Sequence, residues 1–149
     1  MHHMQKTREE QIASFNAAPF AVLNGLVITR VGDDLSVTVM MEIPDKLNAH
    51  GTVHGGAIFS VADHAFGIAS NLDGRPKVGV TSQITYLSAA TATGGPLVAT
   101  ATKAGETGMT VAYQVRVTQD GRQVALFYGN AFLLRQGYYS VERNIPDQS

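Results

Sequence analysis

Asp63 is the only formally charged residue between Leu47 and Leu72, and it sits inside an apolar, helix-periodic run that begins His54-Gly55-Gly56. Burying an ion without a partner costs several kcal/mol, so a carboxylate in such a segment marks a place where its charge or its proton is used. Asp63 is therefore the first catalytic candidate. Its alternative is a buried carboxylate satisfied by a hydroxyl or backbone donor. Gly55 and Gly56 fall where that helix must begin. The first N–H groups of a helix lack intrahelical acceptors and lie in a partial positive field. With no side chain in the way, a carbonyl oxygen can approach them closely. The pair reads either as an oxyanion hole, where removing one donor costs about 3 kcal/mol, or as glycines that merely permit a tight loop.

Three further residues accompany them. His54 is a donor beside the oxyanion position or a capping histidine. Asn48 can hold a water or a carbonyl through its amide, or act only as a turn residue. His50 and His54 are four apart, a spacing that suits two metal ligands on one helix face. Pro44, Asn48 and Gly51 make that stretch loop, and no metal is expected. His64 reads as structural. Asp63 lies eight residues beyond Gly55, roughly 12 Å along one helix. One carbonyl cannot touch both. A shared site then needs the helix start of one subunit and the helix middle of another, as a two-fold dimer with antiparallel helices would provide.

The elements that must position these groups follow from pattern. Thr7 to Phe15 opens with a capping box, Thr7 with Glu10, and predicts a short peripheral helix. Leu26–Val31 and Leu35–Ile43 predict strands around a Gly32-Asp33-Asp34 turn, the second alternating Leu35, Val37, Val39, Met41 and Ile43 inward. From Gly55 to Asn71, residues Ile58, Val61, Ala62, Ala65 and Ala69 form one apolar stripe, with Asp63 off it beside Phe59, Gly67 and Ser70. No Lys, Arg or Glu lies on that second face, so this helix is expected to be covered on nearly all sides. After the turn Asp73-Gly74-Arg75-Pro76, four strands follow: Val78–Leu87, Leu97–Lys103, Thr110–Thr118 and Gln123–Leu134, the last two joined by Asp120-Gly121. The reading is an α+β domain, an antiparallel sheet of about five to six strands around one long central helix. Residues 1–25 form a helical extension, 26–134 the domain and 135–149 a tail.

Composition narrows the function classes. The chain has 149 residues, 44% hydrophobic and only 15% charged, too apolar for disorder and sparse in charge for a soluble monomer. A second subunit is expected to bury part of its surface. A net charge of −1 with scattered Lys and Arg carries no nucleic-acid footprint. The absence of cysteine removes thiol chemistry and disulfides. No run reaches membrane-spanning length and Met1 to Lys6 is polar, so the expected location is cytoplasmic, with no membrane partner.

The run from Asn48 to Phe66, with Asn48, His54-Gly55-Gly56 and Asp63 at these spacings, resembles the signature of the PaaI-like hotdog-fold acyl-CoA thioesterases of the phenylacetic acid degradation type. The likeness extends through Ile84-Thr85-Tyr86-Leu87 and Val124-Ala125-Leu126-Phe127-Tyr128-Gly129. It implies a homodimer, often paired into a homotetramer, with sites shared across the dimer. Within such a site Asp63 is nucleophile or general base, and Gly55 N–H meets the thioester oxygen. His54 supports that oxygen or the helix start, and Asn48 orients water or substrate. No cofactor is implied beyond the coenzyme A portion of an acyl-CoA substrate, with an aryl-acetyl or medium-chain acyl group. Gly56, Phe59, Phe66, Thr81, Ser82 and Tyr86 are expected to line the substrate, although the three aromatics could equally be core. The alternative is a module on the same fold that binds an acyl-CoA or acyl carrier without turnover.

Overall fold

The computed structural model describes residues 5–135. Helix α1 (Arg8–Asn16) starts at the expected capping box, with Thr7 Oγ1 accepting from Glu10 N–H and the Glu10 carboxylate accepting from Thr7 N–H. A second short helix, α2 (Pro19–Asn24), lies in the extension where sequence reading placed only one. Pro19 opens it and Gly25 closes it in the left-handed conformation at φ +64°. The extension is fastened to the domain: Arg8 and Gln11 donate to the Leu72 carbonyl, and Asn16 Oδ1 accepts from Ile28 N–H.

Six strands follow: β1 (Leu26–Val31), β2 (Val37–Met41), β3 (Lys77–Tyr86), β4 (Leu97–Glu106), β5 (Thr110–Gln119) and β6 (Arg122–Leu133). They form one sheet in the order β1-β2-β4-β5-β6-β3, antiparallel throughout. The inward positions expected from alternation are buried: Val37, Val39, Met41 and Ile43, joined by Leu97, Ala99, Ala101, Val111, Val115 and Val117. β2 is shorter than predicted because Leu35 takes φ +61° and the Asp34 carboxylate accepts from Ser36 N–H, which keeps the turn open to residue 36. The Asp120-Gly121 turn has both residues at positive φ, as a tight two-residue hairpin requires.

Helix α3 (Gly55–Asn71) packs its stripe of Ile58, Val61, Ala62, Ala65, Ile68 and Ala69 into the sheet. It is not covered on all sides, however. In the single chain Asp63 and Gly56 are exposed and Ser60, His64 and Gly67 are half-buried, whereas Ser70 is buried and Phe59 packs edge-on against Phe127. Strand β3 lies at the sheet edge. Among the described residues nothing pairs with its outer side, and Val78, Val80, Tyr86 and Leu87 are exposed. The link from α3 to β3 is densely hydrogen-bonded. The buried Lys77 ammonium reaches Asp73 at 2.8 Å and the Ser70 and Arg75 carbonyls, while Asn71 bonds both the N–H and the carbonyl of Lys77. The tail expected at 135–149 falls, beyond Arg135, outside the described residues. No helix described is long and apolar enough to cross a membrane.

Candidate active site

His54 is the N-cap of α3, and its Nδ1 accepts the Gly56 N–H at 2.8 Å. That nitrogen therefore carries no proton, and a neutral His54 keeps its proton on Nε2. The capping bond has a second effect. Of the two glycine N–H groups at the helix start, Gly56 is occupied, whereas Gly55 N–H has no acceptor among the described residues. The open donor is thus Gly55.

Tyr86, at the end of β3, fixes this position: its hydroxyl donates to the Gly55 carbonyl at 3.0 Å. A Cβ on Gly55 would lie 3.2 Å from that hydroxyl, so the absence of a side chain permits the approach. Gly55, Val53, Ile58, Tyr86 and the segment Leu87–Ala90 line a cleft of about 310 Å³. On the other side of the helix start, Gly56, Ser60 and His54 border a second cleft with Phe20, Lys46 and Leu47. Asn48 is largely engaged in its own loop. Its Oδ1 accepts from His50 N–H and Thr52 N–H, and its amide donates to Thr52 Oγ1, leaving one amide hydrogen to offer.

Two helical turns further on, Asp63 faces the beginning of β3. It lines a cleft of about 300 Å³ with Phe66, Gly67, Gly79, Val80, Thr81 and Ser82. Its carboxylate reaches solvent in the single chain and takes no hydrogen bond or ion pair among the described residues. The surrounding protein nevertheless pushes its pKa up from the ordinary carboxylate value by burial. The neighbouring His64 is shifted the other way, down, again by burial, and its buried Nε2 has no partner among the described residues. Phe66 is core: its ring sits in a socket left by Gly79 and Gly129 and packs on Tyr113 and Phe127, so it is the floor of the Asp63 cleft. Sequence reading missed that socket. A lone glycine inside each of two strands was the available signal.

The structure thus brings Thr81, Ser82 and Phe66 to Asp63, and Tyr86 to Gly55, but does not bring Gly55 and Asp63 together in one chain. Among the described residues no three His, Asp or Glu side chains cluster as metal ligands.

The chain is thus a helix wrapped by an antiparallel sheet, with an unengaged backbone donor at the helix start and an unpaired carboxylate in its middle. Comparison with known proteins supplies the family. The model of the thioesterase superfamily matches residues 50–125. A putative esterase of Deinococcus radiodurans is 38% identical over 76% of this chain and 77% of its own length. The acyl-coenzyme A thioesterase PaaI of Escherichia coli is 34% identical over 72% of this chain and 76% of its own. Among solved structures, a mutant of the phenylacetic acid degradation protein PaaI from Thermus thermophilus superposes with a TM-score of 0.73 at 34% identity, covering 78% of this chain and 99% of that one. The E. coli PaaI structure superposes at 0.76 with 30% identity, covering 83% and 89%. The chain belongs to the thioesterase superfamily, as a PaaI-like member.

Proposed function

We propose that this protein hydrolyses acyl-CoA thioesters at sites formed between two subunits, Gly55 of one supplying the oxyanion donor and Asp63 of the other the general base. The observation that carries this reading is the pairing of one open N–H, at Gly55, with one unpaired carboxylate, at Asp63, on a single helix but roughly 12 Å apart. Two antiparallel copies of α3 bring each to the other's partner. The exposed edge of β3 and the uncovered strip Gly56, Ser60, Asp63 and Gly67 are the surfaces such a dimer would bury. Pairing of dimers into a tetramer, and a cytoplasmic location, belong to the same proposal.

In the proposed reaction the Asp63 carboxylate takes a proton from water, and the water oxygen attacks the thioester carbonyl carbon. The carbonyl oxygen gathers negative charge against Gly55 N–H, with the His54 Nε2–H as a second donor and the remaining Asn48 amide hydrogen orienting water or substrate. The tetrahedral intermediate then expels the thiolate, which recovers the proton from Asp63. A raised carboxyl pKa suits a general base, whose proton affinity should approach the working pH. Thr81, Ser82 and Phe66 line the Asp63 end, and Gly56 the helix-start end, of the space for an aryl-acetyl or medium-chain acyl group.

Two glycine variants isolate the oxyanion step. Gly55 is the first helical residue, where proline is tolerated, and His54 already has the extended ψ of 135° that a following proline demands. Gly55→Pro removes the N–H, whereas Gly55→Ala keeps it and adds the same Cβ beside Tyr86. Thiol release from acyl-CoAs should fall about 100-fold or more in Gly55→Pro relative to Gly55→Ala, and by at least ~100-fold in Asp63→Asn. Equal rates in the two Gly55 variants would remove that donor from the mechanism. Single turnover in ¹⁸O-water should leave the Asp63 carboxylate unlabelled, whereas label there would make it the nucleophile.

A further inference from the structure

A CoA thioester is larger than the Gly55 cleft of about 310 Å³, so part of its coenzyme A moiety must lie outside that cleft. Among the described residues, one cation is fastened to a wall of that cleft. Beyond the last β3–β6 pair, Tyr86 with Ala125, the chain stays zipped to β6: Leu87 N–H and Ser88 N–H donate to the Val124 carbonyl, and Ser88 Oγ donates to the Gln123 carbonyl at 2.7 Å. Arg122 closes the zip, its guanidinium donating to the Ala89 carbonyl at 2.7 Å. Ser88 and Ala89 are themselves walls of the cleft.

Arg122 differs from the other candidates in its surroundings. Arg75, Lys77 and Lys103 are paired with Asp73 or Glu106, whereas Arg122 is exposed and has no carboxylate partner among the described residues. The neighbouring Asp120 carboxylate is turned to Gly95 N–H. Lys46 lines the opposite cleft, on the Gly56 side, where the backbone donor is already taken by His54. A guanidinium carries five N–H donors in a planar fork that matches phosphate oxygens. The bond to Ala89 uses one donor and orients the rest. We propose that Arg122 recognises a phosphate of the coenzyme A moiety and so selects CoA thioesters over thioesters of the bare pantetheine arm. This rests on the acyl-CoA reading above.

The test is binding of coenzyme A and of pantetheine, by calorimetry, to the full-length protein and to Arg122→Gln and Arg122→Lys variants. Wild type should bind coenzyme A more tightly than pantetheine. Arg122→Gln keeps an amide donor for Ala89 but loses the charge, and should narrow that ratio on the order of five- to tenfold, as for a charge-assisted contact at a solvent-exposed rim. Arg122→Lys should retain more of the ratio than Arg122→Gln, and raised salt should shrink it in wild type. An unchanged ratio in Arg122→Gln, equal weakening of both ligands, or a wild type that does not prefer coenzyme A would overturn the assignment. Failure of the wild type to release thiol from any acyl-CoA would instead strike the hydrolase proposal. The binding ratio would still report on Arg122.

Discussion

Replacing Gly129 by alanine should destabilise the protein through a single aromatic ring. Phe66 is 2% exposed, and a Cβ built on Gly129 would lie 2.9 Å from three of its ring carbons. Carbon atoms pack best at about 3.5–4.0 Å, so ring and strand would have to part by roughly 0.6 Å or more. The ring has nowhere to go. Phe127 and Tyr113 have their ring centroids 5.8 and 6.1 Å from it, and Gly79 on β3 would offer a Cβ only 3.1 Å away. One methyl forced into such a core costs about 1–3 kcal/mol, which lowers the melting temperature of a domain this size by about 3–10 °C. Urea and thermal denaturation at fixed protein concentration measure this, and Gly79→Ala should show a smaller loss. The decisive arm is Gly129→Ala in a Phe66→Leu background, where the added methyl should cost less than about 0.5 kcal/mol, a coupling of the size contacting residues show. Equal cost in both backgrounds, or a Gly129→Ala protein within about 0.5 kcal/mol of wild type, would refute the socket account.

Asp63 should tie stability to pH in a defined sense. Its folded pKa is raised by burial, so this group's contribution is complete below the unfolded value of about 3.9 and is lost as pH rises through the folded value. Asp63→Asn should consequently resist urea better than wild type at neutral pH, with the advantage fading toward pH 4; a variant less stable at neutral pH would contradict this. Tyr86→Phe removes the bond to the Gly55 carbonyl and should lower kcat by about tenfold, the equivalent of a net hydrogen bond, with KM little changed. An unaltered kcat would detach Tyr86 from the donor's placement. Asp63→Asn and Gly55→Pro proteins, each inactive alone, should recover about a quarter of wild-type activity after subunit exchange, because half of the dimers then hold one intact site of two. No recovery after exchange verified by mass spectrometry would refute the shared site.

What could be read from the sequence was local. A capping box at Thr7 and Glu10, two positive-φ residues at Asp120-Gly121, the two-residue alternation of β2 and the helical stripe from Ile58 to Ala69 are each written within a few residues, where backbone preference and periodicity act directly. The same holds for the site's core: an isolated carboxylate in an apolar helix and two glycines at its start are visible without a fold. What depended on tertiary structure was the contact between distant segments. That Gly55 rather than Gly56 keeps its N–H open depends on the side-chain conformation of His54, and Tyr86 reaches Gly55 from the end of a strand 31 residues along the chain. The strand order put Gly79 and Gly129 on adjacent strands, diagonal to one another under Phe66, and carried Arg122 to Ala89, across intervals of 50 and 33 residues. Register between strands is set by the summed packing of a whole face, a quantity no short window of sequence contains.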